Sequence, residues 1–217
     1  MEDKRIIMRI PSDLLGLYMP LSPEKLFYIK VRWRIIPVEA IERMVPQKGR
    51  IYDIGCGAGL LSNLLALRSG QREVIGIDLS KEKILISKNT VKDRKNVRFE
   101  QGDILDYIFR DPDVVVACDM LHHIPFERQR PLIEHIYAAL KKGGLLLVQD
   151  IDKAPWHKYL FALGVDKVLN KMEKTYYRRS EELVDILRET GFVVEMRRID
   201  RGYPIAAVMY LCRKFSK

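Results

Sequence analysis

The sequence predicts an α/β fold: a doubly wound, mostly parallel sheet of seven strands, ending in an antiparallel hairpin. Three observations carry this. From residue 50 onward, short apolar runs alternate with helix-like stretches, the pattern of repeated β-α units. The run Asp113–Cys118 is Val-rich without interruption, as expected of a strand covered on both faces. Two final strand-like runs, Phe192–Ile199 and Ile205–Cys212, are joined by a short link through Gly202 and Pro204.

The elements follow in order. Residues 1–20 are mixed, and Pro11 and Pro20 break regular structure. Ser22-Pro23-Glu24 starts a helix with a hydroxyl cap and a first-turn proline. That helix runs to Ile35, with Leu26, Ile29 and Trp33 at helical spacing among Lys25, Lys30, Arg32 and Arg34. Pro37 opens a second helix, Val38–Val45. Arg50–Ile54 is the first strand and Ala58–Arg68 the helix after it. Glu73–Ile77 is the second strand, and Ser80 caps a helix to Val91. Asn96–Gln101 is the third strand, followed by a short helical link, Asp103–Phe109. Asp113–Cys118 is the fourth strand. A helix spans Phe126–Lys141, with Pro131 as an alternative start. Gly143-Gly144 turns the chain into Leu145–Gln149, the fifth strand. Pro155–Met172 is helical and mixes Trp156, Tyr159, Leu160 and Leu163 with lysines. Ser180 caps Glu181–Thr190, and Gly191 stops it.

Composition narrows the class. At 217 residues the chain suits one full α/β domain with a small accessory segment. No run of about 18 apolar residues is present, so no transmembrane helix is expected. The N-terminus lacks a signal-peptide pattern. Three dispersed cysteines fit a reducing cytoplasm, and no paired ligand spacing suggests a metal. The net charge of +9 is uneven. Residues 51–150 hold 14 basic and 14 acidic side chains, residues 1–50 hold 10 and 6, and residues 151–217 hold 14 and 9. The basic flanks suggest an anionic partner. The plainer reading is the charge-rich, Asn- and Gln-poor surface of a thermophilic protein.

The stretch Ile51–Ser62 organises the chemistry. Gly55, Gly57 and Gly59 alternate after a strand that carries Asp53, and a helix follows. Such a turn lets a ligand reach the backbone and the helix's first amides. The third glycine comes one residue too early for a dinucleotide turn, and no Gly-Lys-Ser/Thr follows. Asp78, at the end of the second strand, is placed to accept both hydroxyls of a ribose. Cys118, Asp119 and Met120 leave the fourth strand at the same sheet edge.

Taken together, Asp53-x-Gly55-x-Gly57-x-Gly59, the Asp78 motif and Gly102-Asp103-Ile104 resemble class I S-adenosylmethionine-dependent methyltransferases. The resemblance spans residues 50–150 and loosely the last two strands. It implies a Rossmann-like methyltransferase domain over residues 50–217, with a helical insertion at about 151–178. Residues 1–49 then form a helical lid or substrate segment. It also implies that the glycine turn, with Cys56 inside it, cradles the methionine part of S-adenosyl-L-methionine, with Asp53 near the amino group. Asp78 and Leu79 would meet the ribose edge, Asp103 the adenine amino group, and Ile104 the ring. S-adenosyl-L-homocysteine would be the product. The stretch Leu121-His-His-Ile-Pro125 resembles the same position in small-molecule and lipid-quinone methyltransferases.

Methyl transfer is in-line displacement at an activated sulfonium, so the protein mainly supplies proximity and orientation. Candidate bases are His122, His123, Asp150 and His157, in falling order. The alternative is that the histidines only pack or hold the cofactor. The basic, aromatic segments 1–49 and 151–180 suggest a small, hydrophobic or lipid-like acceptor and peripheral contact with an anionic membrane from the cytoplasmic side. Packing on the sheet or a dimer contact would explain them equally well. RNA or protein methylation is the second reading, though no base-clamping motif follows the fourth strand. A catalytically silent cofactor-binding subunit is the third.

Overall fold

A computed structural model describes residues 9–169 and 174–215. The reading of the N-terminal pentapeptide and the last turn of the 155–172 helix lie outside the described residues. The strands are β1 (Gly49–Ile54), β2 (Arg72–Asp78), β3 (Val97–Gln101), β4 (Val114–Cys118), β5 (Leu145–Ile151), β6 (Phe192–Arg198) and β7 (Ala207–Lys214). They form one sheet in the order β3-β2-β1-β4-β5-β7-β6. The first five run parallel, and β7 is antiparallel to both β5 and β6. The doubly wound sheet with an antiparallel end is therefore as expected, and β7 lies between β5 and β6.

The helices are α1 (Ser12–Gly16), α2 (Pro23–Ile35), α3 (Val38–Met44), α4 (Leu60–Arg68), α5 (Lys81–Asn89), α6 (Phe126–Ala139), α7 (Trp156–Leu169) and α8 (Ser180–Thr190). Alternate strand residues feed two cores, as the period of two requires. Ile51, Val74, Val114, Val116 and Leu147 pack with α1 to α4 on one face. Tyr52, Ile75, Val115, Leu146 and Val208 pack with α6 and α8 on the other.

Several local expectations change. Residues 12–16 form α1, where only irregular chain was expected. The segment 103–109 is a turn rather than a helical link, because Asp103 Oδ1 accepts from the Leu105 amide at 3.0 Å and bends the chain. Pro131 lies inside α6 without ending it. Ser22 sits at the α2 N-cap, but its hydroxyl donates to Glu24 Oε2. Ser180 is the first residue of α8, and its Oγ accepts from the Tyr210 hydroxyl at 3.0 Å. Ser80 caps α5 as expected, accepting from the Lys83 amide.

The N-terminal helices are tied into the core. Arg72 is fully buried, and its guanidinium donates to Glu42 Oε1 at 2.7 Å and to the carbonyls of Val45, Pro46 and Leu65. Tyr18, just after α1, donates to the Ala58 carbonyl in the glycine turn and accepts from Asn63 Nδ2. The turn thus has a brace from outside its own β-α unit. Removing one partner of a buried ion pair leaves an uncompensated charge, at a cost of about 3–5 kcal/mol. Glu42→Ala should therefore destabilise the fold by about that amount. Urea unfolding of the two proteins measures it, and a loss within experimental error would show that the backbone carbonyls around Arg72 suffice.

Candidate active site

The carboxyl ends of β1, β2 and β4 open onto a cavity of about 400 Å³, with α2 at one side. Gly57 lines it with φ +57°, and a Cβ there would meet no heavy atom within 4 Å. Only glycine holds that conformation while leaving the backbone bare. Gly59 differs from the expectation. It does not line the cavity. It N-caps α4 at φ +80°, and a Cβ there would stand 2.6 Å from the Phe99 ring. That ring occupies the space left by Gly59 and Gly76, so Gly59 serves packing.

Acids surround the cavity. Asp53 is 2% exposed and accepts from Ser62 Oγ at 2.5 Å. Burial pushes its carboxyl up to about 7, against the pull of Ser62. Asp78 Oδ2 accepts from the Gly57 amide and Oδ1 from the Ser80 amide, each at 2.8 Å. This locks the second acid to the glycine turn. Asp103 lies exposed at the rim, with Ile104 buried beside it. Leu79, at 68% exposure, and Gly102 complete that end.

The β4 end supplies Cys118, Asp119 and Met120. Burial, then Asp119, pushes the Cys118 thiol well up, and burial does the same to Cys56. Both stay protonated and line the wall as small apolar groups. Asp119 adopts φ +53°, uncommon for a residue with a side chain. Its Oδ2 receives Arg32 of α2 at 2.8 Å, while its Oδ1 is buried with no hydrogen-bond partner. Burial opposes the Arg32 charge, but Asp119 holds the guanidinium protonated.

Arg32 and Tyr28 both line the cavity and stand one turn apart on α2. Arg32 is one of four basic residues on α2, and only the docked orientation of the helix distinguishes it.

The four candidate bases separate. His123 lines the cavity. His122 does not. It is 1% exposed, faces away within a 3₁₀ turn (Leu121–His123), and its Nδ1 lies 2.5 Å from Asp150 Oδ1. Burial works against its charge, yet Asp150 pushes the imidazole up to about 9. Burial and then the His122 charge push His123 down. Asp150 is consumed by His122 and by the Ile151 amide and does not reach the cavity. His157 lies exposed on α7, also away from the cavity. Direct base roles for His122, Asp150 and His157 are corrected on these grounds: each is turned elsewhere by packing or exposure.

Fold and site together define the class. Residues 51–144 match the family model described as a methyltransferase domain. The chain belongs to the class I S-adenosylmethionine-dependent methyltransferases. Its relatives include the ubiquinone biosynthesis O-methyltransferase of Marinobacter nauticus, 33% identical over 166 residues, 70% of this chain and 67% of the relative. The enzyme of the same description from Coxiella burnetii is 30% identical over 145 residues, 64% of this chain and 59% of the relative. The chain thus spans about three fifths to two thirds of their length. An O-methyltransferase family protein from Burkholderia thailandensis shares the fold, with TM-score 0.73 and 18% identity over 88% of this chain and 59% of that one.

The residues fit the cofactor. A bare glycine, an orphaned carboxylate oxygen and a ring of acids suit a ligand that carries an ammonium and a sulfonium.

Asp53 also predicts a pH dependence. A free aspartate titrates at 3.8 and the folded one at about 7, so the unfolded chain loses its proton first. This group's contribution is full below 3.8 and is lost as pH rises through about 7. Stability of the ligand-free chain should fall across that window, and Asp53→Asn should flatten the fall. Urea midpoints on either side of the window test this; equal slopes in both proteins would contradict it.

Proposed function

We propose that the chain transfers a methyl group from S-adenosylmethionine to an oxygen of a small, hydrophobic or lipid-like acceptor. The single observation that carries the acceptor class is the likeness to two ubiquinone biosynthesis O-methyltransferases. The apolar share of the cavity wall, including Tyr28, Ile29, Ile36 and Val38, supports it.

When bound, S-adenosylmethionine supplies a methyl group already activated by its sulfonium. The chain's own residues then do four things. Gly57 keeps the backbone open, Gly55 leaves room for the Met120 side chain beside it, and Asp53 offers a carboxylate to an ammonium. Asp78, fixed by two amides, presents its remaining lone pairs to a ribose. Asp103 and Ile104 pair a polar edge with an apolar face, which suits a base. Arg32 and Tyr28 lower one side of the cavity from α2, so that the N-terminal segment acts as a lid and excludes water around the reacting groups. His123 is the candidate base that reaches the wall, where it can orient the acceptor.

One observation favours a membrane source for the acceptor. Trp156, Leu160, Phe161 and Val168 are 70%, 53%, 45% and 79% exposed on one side of α7. Such a face, on a chain of net charge +9, suits an anionic interface. Among the described residues, no helix is long and apolar enough to cross a membrane.

Labelled methyl from S-adenosylmethionine, incubated with the chain and a cell extract, should pass into the organic phase. Label confined to RNA or protein would overturn the acceptor class. Asp78→Ala should weaken S-adenosylhomocysteine binding at least tenfold by calorimetry, and unchanged affinity would remove Asp78 from the site. Co-sedimentation with anionic vesicles at low salt, absent with neutral ones, is the result expected of α7.

A further inference from the structure

Behind the cavity wall lies a buried cluster that the cofactor reading does not use. His122 Nδ1 is held by Asp150, whose Oδ2 also accepts from the His122 backbone amide at 3.1 Å. His122 Nε2 faces Asp166 Oδ2 of α7 at 3.6 Å, too long for a hydrogen bond, and is buried with no hydrogen-bond partner. The His123 ring centroid is 4.3 Å from that of His122. One donor atom from each of His122, His123 and Asp166 lies within 4.8 Å of the other two. Tyr177 donates its hydroxyl to Asp166 and stacks on His122 at 4.4 Å.

We propose that His122, His123 and Asp166 form a binding site for one divalent metal ion of the zinc class, on the inner wall of the cavity. Two imidazoles and one carboxylate are a common zinc donor set, with a fourth position left open. Tetrahedral ligand atoms bound at about 2.0–2.1 Å lie about 3.3 Å apart, so the 3.6 Å gap between His122 and Asp166 needs little closing.

The surroundings are also those of a metal site. A carboxylate on the far nitrogen of a liganding imidazole fixes its tautomer and leaves the near nitrogen's lone pair for the metal. Asp150 stands in that relation to Nδ1 of His122. Tyr177 donates to Asp166 Oδ2, the oxygen that faces His122, and so fixes where that carboxylate points. Buried carboxylates stand at both nitrogens of His122, Asp150 at Nδ1 and Asp166 at Nε2, which makes the cluster a place for a cation. Sequence spacing did not disclose it. The histidines are adjacent, and the acid comes 43 residues later from α7.

Because His123 also lines the cavity, an acceptor oxygen that reaches this wall can complete the coordination. That role rests on the acceptor reading above; the binding site itself does not.

The test uses the full chain, stripped with chelator and titrated with Zn²⁺ alone. Calorimetry and atomic absorption should give one ion per chain. Asp166→Asn and His123→Ala should each lower Zn²⁺ affinity at least tenfold. Asp150→Asn, one bond removed from the ion, should lower it about 10–100-fold. Cys56→Ser and Cys118→Ser should leave it unchanged. Co²⁺ in place of Zn²⁺ should show visible bands without thiolate charge transfer, and Asp166→Asn should lose them. S-adenosylhomocysteine affinity of Asp166→Asn should match the parent, which separates failure here from failure of the cofactor reading. No stoichiometric Zn²⁺ in the parent would overturn the proposal and leave His122 as a protonated structural imidazole. Binding that survives Asp166→Asn and His123→Ala, or that is lost with a cysteine, would overturn it too. Thermal melts of each variant guard against loss of fold, and the Co²⁺ spectrum of the parent decides the ligand type independently of any variant.

Discussion

Negative charge crowded at one edge of a sheet is the constraint from which the rest of this site follows. Buried carboxylates are tolerable only when each is answered. Here every answer differs. Asp78 takes two backbone amides, Asp119 takes Arg32, and Asp150 takes His122. Asp53 has no cation, only the hydroxyl and amide of Ser62, and burial pushes its carboxyl toward neutrality. The acids that are least well answered, Asp53 and one oxygen of Asp119, both belong to residues that line the cavity. The structure thus concentrates its unspent electrostatics where a cationic cofactor of this family would lie, and little reorganisation is needed when it arrives.

The same constraint makes the N-terminal helices part of the site. Arg32 neutralises an acid of the β4 end from α2, and Tyr18 braces the glycine turn from just after α1. Arg72 reaches the other way, from β2 into α3 and the chain after it. These ties join elements far apart in sequence, so the cavity and the fold are stabilised by overlapping sets of residues. α1, α2 and α3 are thus each held to the sheet by a separate buried contact.

How much was legible follows from where each signal resides. The glycine turn, Asp78 and the succession of parallel strands up to β5 depend on local pattern and on β-α alternation, and the sequence carries both. Arg32 was illegible because its neighbours Lys25, Lys30 and Arg34 look alike until α2 is docked. His122 and His123 are adjacent and chemically identical, and only the pitch of a 3₁₀ turn sends one inward and one to the wall. Gly59 read as a cofactor glycine because the motif gives it the same status as Gly57; its task is set by Phe99, forty residues away. α1 went unseen because five residues between prolines carry too little periodicity to register.

The position of β7 has a consequence for how the chain comes to be folded on the ribosome. β5 is buried along its whole length, and its outer edge is paired only by β7, with Leu145 opposite Arg213 and Ile151 opposite Ala207. β6 is made first yet pairs only with β7 among the described strands. Until the final strand emerges, the nascent chain carries an apolar, unpaired edge at its centre, the template on which β-aggregates grow. The late strand closes that edge by inserting between two earlier ones, a long-range step and therefore a slow one. Glu195, Arg197 and Arg198, exposed on β6, leave the completed sheet with a charged margin that other chains do not readily extend.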